Sequence, residues 1–247
     1  MDLGISGRRA AVAASSQGLG FATAAALAAD GVTVAICGRD RARIDAAAAK
    51  IGANAMPLVA DVSTEEGGAA FVHAAREALG GVDILVTNGG GPPRGNFATT
   101  ELSEYRRAME LNCLSAIAMC SVAVPDMQAA GWGRILAITS IAVKQPIDAL
   151  ILSNTARAGL TGFLKTLARE VAGSGVTVNS ILPGLHDTER IRDLNPDPDA
   201  VAAGVAAGSI GRASDFGQVA AFLCSEPARF LTGAALQVDG GAYAGLL

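Results

Sequence analysis

The first residues able to do chemistry form the turn Ala14-Ser15-Ser16-Gln17-Gly18-Leu19-Gly20, between a short apolar run and a helix-forming stretch. Glycines at such a turn let backbone N–H groups approach a pyrophosphate at a helix N-terminus. A tight strand-to-helix turn without a ligand is the plain alternative. About 20 residues further on, where a dinucleotide's ribose is read, a second apolar run ends in Cys37-Gly38-Arg39-Asp40. A carboxylate there would bind a ribose 2′-hydroxyl. Gly38 holds the strand end instead, and the Arg39 guanidinium suits a 2′-phosphate, so NADP(H) is expected in preference to NAD(H). A solvated Arg39, with Asp40 turned inward, is the competing reading.

Four further positions carry reactive or directional groups. Ser140 follows an apolar run at 134–139, where its hydroxyl can donate to a carbonyl oxygen, although a turn serine needs no ligand to explain it. Asn112 lies within a helical stretch that its side chain disfavours, which suggests either a function or a buried amide satisfied by backbone. Ser153 and Arg157 are one helical turn apart and share a face. His186 titrates near neutrality, as a proton-transfer group should, and a loop histidine without a role is its alternative. No metal is expected: the two histidines, His73 and His186, are far apart and no His/Cys/Glu cluster has ligand spacing. Neither a Gly-x-Ser-x-Gly elbow nor a P-loop lysine motif occurs.

The elements that must position these groups alternate. Short apolar runs at 9–14, 33–37, 55–59, 84–88, 134–139, 177–182 and 236–238 read as buried parallel strands. Ala-rich stretches near 19–30, 41–51, 65–79, 102–130, 151–172 and 215–224 read as helices, with Thr64 capping the third and Gly80-Gly81 stopping it. This predicts an α/β Rossmann architecture: one domain over 1–247, with a doubly wound parallel sheet of about seven strands and helices on both faces. Residues 184–213, with Pro196 and Pro198, are too irregular for an ordinary connection and suggest a partly helical lid.

Composition narrows the function classes. Of 247 residues, 51% are hydrophobic and 17% charged, which argues for a packed domain rather than a disordered chain. A net charge of −4 offers no basic field for nucleic acid. No run of about 18 uncharged apolar residues predicts a membrane span, and the start lacks a signal-peptide pattern. Cys37, Cys113, Cys120 and Cys224 form no CxxC pair and read as reduced thiols of a cytoplasmic protein.

With these residues placed, the chain resembles the short-chain dehydrogenase/reductase family over nearly its whole length, most closely the 3-oxoacyl-carrier-protein reductase type. The family's Gly-x-x-x-Gly-x-Gly matches Ala14 through Gly20, with Ala14 at the first glycine. Its Asp-Val matches Asp61-Val62, its Asn-Asn-Ala-Gly matches Thr87-Asn88-Gly89-Gly90, and its helix asparagine matches Asn112. Its strand-five serine matches Ser140, its Pro-Gly matches Pro183-Gly184 with Thr188 at the threonine, and its ending resembles Val238-Asp239-Gly240-Gly241. The resemblance implies that Asp61 and Val62 meet adenine, that Asn88, Gly89, Gly90, Pro183, Gly184, His186 and Thr188 line the cofactor, that Asn112 holds a water in a proton relay, and that the chain forms a homotetramer or homodimer.

One departure bears on the chemistry. The family's Tyr and Lys, four residues apart, begin thirteen residues after the serine; here those positions are Ser153 and Arg157. The only tyrosines, Tyr105 and Tyr243, have no Lys four positions on. Serine is a far weaker acid than tyrosine, and Arg157 stays protonated, so it can bind a ribose or an anion but not shuttle a proton. The expected activity is NADP(H)-dependent carbonyl reduction or alcohol oxidation on a small molecule, with a non-standard relay drawn from Asn112, Ser140, Ser153, Arg157 and His186. The alternatives are cofactor binding without turnover, or a non-redox dehydratase or isomerase.

Overall fold

In a computed structural model, residues 1–194, 197, 200 and 202–246 are described. Seven strands form one parallel sheet: β1 Arg9–Val12, β2 Thr33–Gly38, β3 Ala55–Val59, β4 Ile84–Thr87, β5 Gly133–Ile138, β6 Val176–Pro183 and β9 Ala235–Val238. Their order is β3-β2-β1-β4-β5-β6-β9, so the chain reverses direction across the sheet between β1 and β4. That switch point opens a crevice at the strands' carboxyl ends, where ligands of open α/β sheets bind. The expected doubly wound architecture is therefore present.

Strand residues alternate between two cores because successive side chains point to opposite faces. Ala10, Val12, Val34, Ile36, Ile84 and Val86 face α1 (Gly18–Ala29), α2 (Arg41–Ile51) and the last helix. Ala11, Ala13, Ala35, Cys37 and Leu85 face α3 (Glu65–Leu79), α5 (Ser115–Ala130) and α6 (Ile151–Val171). Thr64 caps α3 by accepting from the Gly67 N–H at 3.1 Å, and Gly80 ends it at φ 75°, as the sequence indicates. All four cysteines are buried and reduced, which removes them from surface chemistry.

The expected single helix over 102–130 is interrupted. α4 (Leu102–Met109) runs into a π-helical turn, Glu110–Leu114, before α5 begins. Such one-turn insertions shift the helix face, and this one carries Asn112. The stretch is long and apolar enough to span a membrane by composition, but half of its most apolar window is buried in the fold, where it acts as a core helix.

The region expected as a lid leaves β6 through a two-residue strand, β7 (His186–Asp187), which pairs with β8 (Gly211–Arg212). That pairing holds the two ends of the 184–213 stretch together. Between them lies α7 (Glu189–Leu194); Pro196 and Pro198 fall outside the described residues. After β8, α8 (Ala213–Leu223) packs along α1.

Candidate active site

The phosphate-binding turn is built by unusual backbone. Ala14 sits at φ 46° and Gly18 at φ 62°. A methyl group on Gly20 would lie 2.6 Å from the Ala14 carbonyl oxygen and 2.7 Å from Asn88 Nδ2. That closeness brings the turn against β4, and Asn88 Nδ2 donates to the carbonyls of Ala13 (3.3 Å) and Ala14 (3.1 Å). Gln17 precedes α1 without using its side chain as a cap, so the helix's first N–H groups carry no side-chain acceptor. A tightly closed turn that leads into uncapped donors at a twelve-residue helix suits a dinucleotide's pyrophosphate. Ser16, Gln17, Gly18 and Thr188 line one end of a groove of about 1030 Å³ along α1, which Asn112, Ser140, Ser153 and Arg157 do not reach.

Ser15 departs from its expected role in phosphate binding. Its hydroxyl donates to Val12 O at 2.7 Å and accepts from Cys37 N–H at 3.0 Å, while its own N–H donates to Cys37 O at 2.9 Å. Fully buried, it ties β1 to β2, and the donors free for a ligand begin at Ser16.

At the end of β2 both Arg39 and Asp40 are exposed. Asp40 accepts from Arg43 N–H at 2.8 Å and caps α2. Nearby, Arg43 Nη1 reaches Gln17 Oε1 at 3.5 Å. Asp61 is exposed and accepts from Ser63 N–H; Val62 is buried, and its carbonyl accepts from Ser115 Oγ at 2.7 Å. Both follow the end of β3.

The polar groups of the crevice converge on β4 and β5. Asn112 Nδ2 donates to Gly90 O at 2.9 Å, while its buried Oδ1 has no partner. Ser153 and Arg157 are both buried on α6. Arg157 Nε donates to Ser153 Oγ at 3.2 Å, and Nη1 donates to Ile138 O at 3.1 Å, just before Ser140. Burial, and then the nearby Arg190, push Arg157 down to about 10. It is still a cation at neutral pH. Ser140 Oγ accepts from Ala142 N–H at 3.1 Å, which leaves its own proton free to be donated.

His186 takes a different place. Its ring is 4% exposed, packed edge-on to Phe216 at 5.1 Å, with Nδ1 3.3 Å from Gly184 O. Burial lowers its pKa and favours the neutral ring. A side chain on Gly211 would meet that ring, so the β7–β8 pairing needs the glycine there. Pro183 ends β6, and Gly184 N–H donates to Val238 O at 3.0 Å. Thr188 lies close over Gly18, which joins the start of the 184–213 stretch to the phosphate turn.

Two features have no counterpart in the sequence reading. Arg190 Nη1 on α7 donates to Gly91 O at 3.3 Å, and its guanidinium lies over that glycine. No motif marks Arg190, and only the lid's path shows where it reaches. The carboxylates of Glu65, Glu66 and Glu110 also gather within 4.8 Å, with Glu110 Oε1 accepting from Glu65 N–H at 2.9 Å.

Comparison with known proteins places this geometry. Residues 13–243 match the family model described as enoyl-(acyl carrier protein) reductase. The chain is 34% identical to the 3-oxoacyl-(acyl-carrier-protein) reductase FabG of Escherichia coli over 238 residues, covering 96% of this chain and 98% of that one. It is 33% identical to dehydrogenase/reductase SDR family member 4 of Bos taurus over 244 residues, covering 96% and 88%. L-sorbose reductase of Gluconobacter frateurii, solved with NADPH and L-sorbose, superposes over 100% of both chains with TM-score 0.94 and 32% identity. A blue fluorescent protein from a metagenomic library, solved with NADPH, superposes with TM-score 0.89 and 29% identity over 97% and 99%.

Proposed function

Starting from a chain that belongs to the short-chain dehydrogenase/reductase family, we propose an NADP(H)-dependent oxidoreductase that interconverts a small carbonyl compound and its alcohol. One observation carries the reading. Ser140 and Ser153 each accept an N–H hydrogen bond, so each hydroxyl keeps its proton to donate. Ser140 follows β5, and Ser153 lies on α6 beside Arg157, which bonds the end of that strand, so the two donors suit the oxygen of a carbonyl becoming an alkoxide.

NADPH, when bound, supplies the hydride. The turn from Ser16 to Gly20 and Arg39 would hold it, the first through backbone N–H groups and the second through a 2′-phosphate. The NADPH complexes of the two superposed neighbours support this cofactor. The chain's own groups manage the oxygen. Ser140 donates a hydrogen bond to it, and Ser153 donates the proton. Arg157, a buried cation bonded to Ser153, favours negative charge on both oxygens. Asn112 Oδ1, buried and without a partner, would hold the water that returns a proton to Ser153. His186 belongs to the packing of the lid's root, and we give it no proton-transfer role.

Calorimetry with NADPH and NADH, followed by NADPH oxidation across aldehydes, ketones and oxo acids, tests this reading. Tighter NADPH binding with turnover of a carbonyl supports it. Binding without turnover of any carbonyl or alcohol means a non-redox role, and no binding of either nucleotide overturns the cofactor assignment.

A further inference from the structure

Arg157 is 8% exposed, and its bonded partners are neutral: Ser153 Oγ and Ile138 O. Among the described residues it forms no ion pair. A second guanidinium, that of Arg190, bonds Gly91 O on the loop after β4, the strand that pairs with β5, where Ile138 O holds Arg157; among the described residues its bonded partner is likewise a neutral carbonyl, and its charge pushes Arg157 further towards neutrality. Two like charges without a carboxylate between them are unfavourable, the more so where one is buried. Beside them Asn112 is fastened to Gly90, the residue before Arg190's partner. One cation comes from α6 and the other from α7, so the pair joins two separate elements of the chain.

We propose that Arg157 and Arg190 clamp a carboxylate of the substrate, so that this oxidoreductase acts on oxo acids or hydroxy acids rather than on neutral ketones. The inference rests on the reading of the crevice as a carbonyl site. The position of the pair favours a substrate group over the cofactor's phosphates. Arg157 is fastened to the end of β5, whereas the phosphate turn follows β1, with β4 between them. Two strand spacings are about 10 Å. A carboxylate attached at or next to the reacting carbonyl lies within reach of both Ser153 and the guanidinium bonded to it.

The test reads binding, not turnover. Oxamate and malonate, with their neutral amides oxamide and malonamide, are titrated calorimetrically into the protein alone and into the protein saturated with NADPH. At least one acid is expected to bind about tenfold or more tighter than its amide, and that preference should vanish in Arg190→Met, whose exposed side chain leaves the core intact. Arg157→Lys keeps a cation at the buried position and should retain part of the preference. Equal binding of acid and amide, binding of neither, or an acid preference unchanged in Arg190→Met overturns the proposal. So does loss of oxamate and malonate binding once NADPH is bound, since the guanidiniums would then serve its phosphates. If NADPH fails to bind while the acids do, the cofactor reading fails and the carboxylate clamp stands.

Discussion

Arg157 and Ser153 face one another across a single turn of α6, the guanidinium Nε donating to the hydroxyl at 3.2 Å. The arginine thus fixes which way the serine's own proton points, and does so from a buried position. Serine remains a weak acid, so the arrangement suits substrates whose carbonyl is already activated.

Removing that hydroxyl isolates its contribution. Ser153→Ala is expected to lower kcat for carbonyl reduction by about a hundredfold, the lower range for a positioned proton donor. NADPH affinity should change little. Unchanged kcat in steady-state assays would mean that water or Ser140 alone delivers the proton.

Cofactor choice should depend on one exposed side chain. Arg39→Ala is expected to weaken NADPH binding by about tenfold while leaving NADH binding unchanged, because only the former carries a 2′-phosphate. Competitive titration of the two nucleotides decides it. Equal weakening of both would place Arg39 on the shared part of the molecule.

The phosphate turn predicts opposite results at two neighbouring sites. Ala14 occupies the left-handed region at φ 46°, so Ala14→Gly should stabilise the fold by up to about 1 kcal/mol, after the added freedom of the unfolded chain is discounted. Gly20→Ala forces a methyl onto the Ala14 carbonyl and the Asn88 amide, and should cost about 1–3 kcal/mol together with NADPH affinity. Denaturant unfolding and nucleotide titration of both variants check the pair.

Acid stability should carry the mark of His186. Its pKa in the fold is held below the ordinary 6.5 by burial, so the unfolded chain takes up a proton first as pH falls. Stability is therefore lost downwards from about pH 6.5 towards the depressed value and unaffected above it. His186→Gln should show a smaller drop in Tm over that interval than the parent. An identical slope would mean the buried ring does not titrate before the fold opens.

The sheet was legible because its strands are short apolar runs with glycine or polar ends, and all seven occur within a residue or two of their expected bounds. Burial on both faces makes that pattern local in the central strands, whereas the edge strands β3 and β9, expected to be buried, are partly exposed because no strand covers their outer side. What depends on distant contacts was not legible. Asn112 was marked by its poor helix propensity, yet no local pattern shows the π-turn that carries it or its bond to Gly90 O, 22 residues away. Ser15 looks like a phosphate ligand until Cys37, 22 residues away, takes both its hydroxyl and its N–H. His186 reads as a crevice group until Gly211 and Phe216 close around it. Arg190 lies 99 residues from the carbonyl it holds, and no local pattern anticipates such a reach.

The buried thiols give the fold a built-in clock. Burial pushes Cys37, Cys120 and Cys224 up to about 12 and raises Cys113, so almost none is thiolate in the native state. An alkylating reagent can then label them only in molecules that have opened. Cys37, Cys113 and Cys120 lie in the core on one face of the sheet and Cys224 in the core on the other. The order in which mass spectrometry finds them alkylated therefore reports which helical layer separates from the sheet first, without any introduced probe.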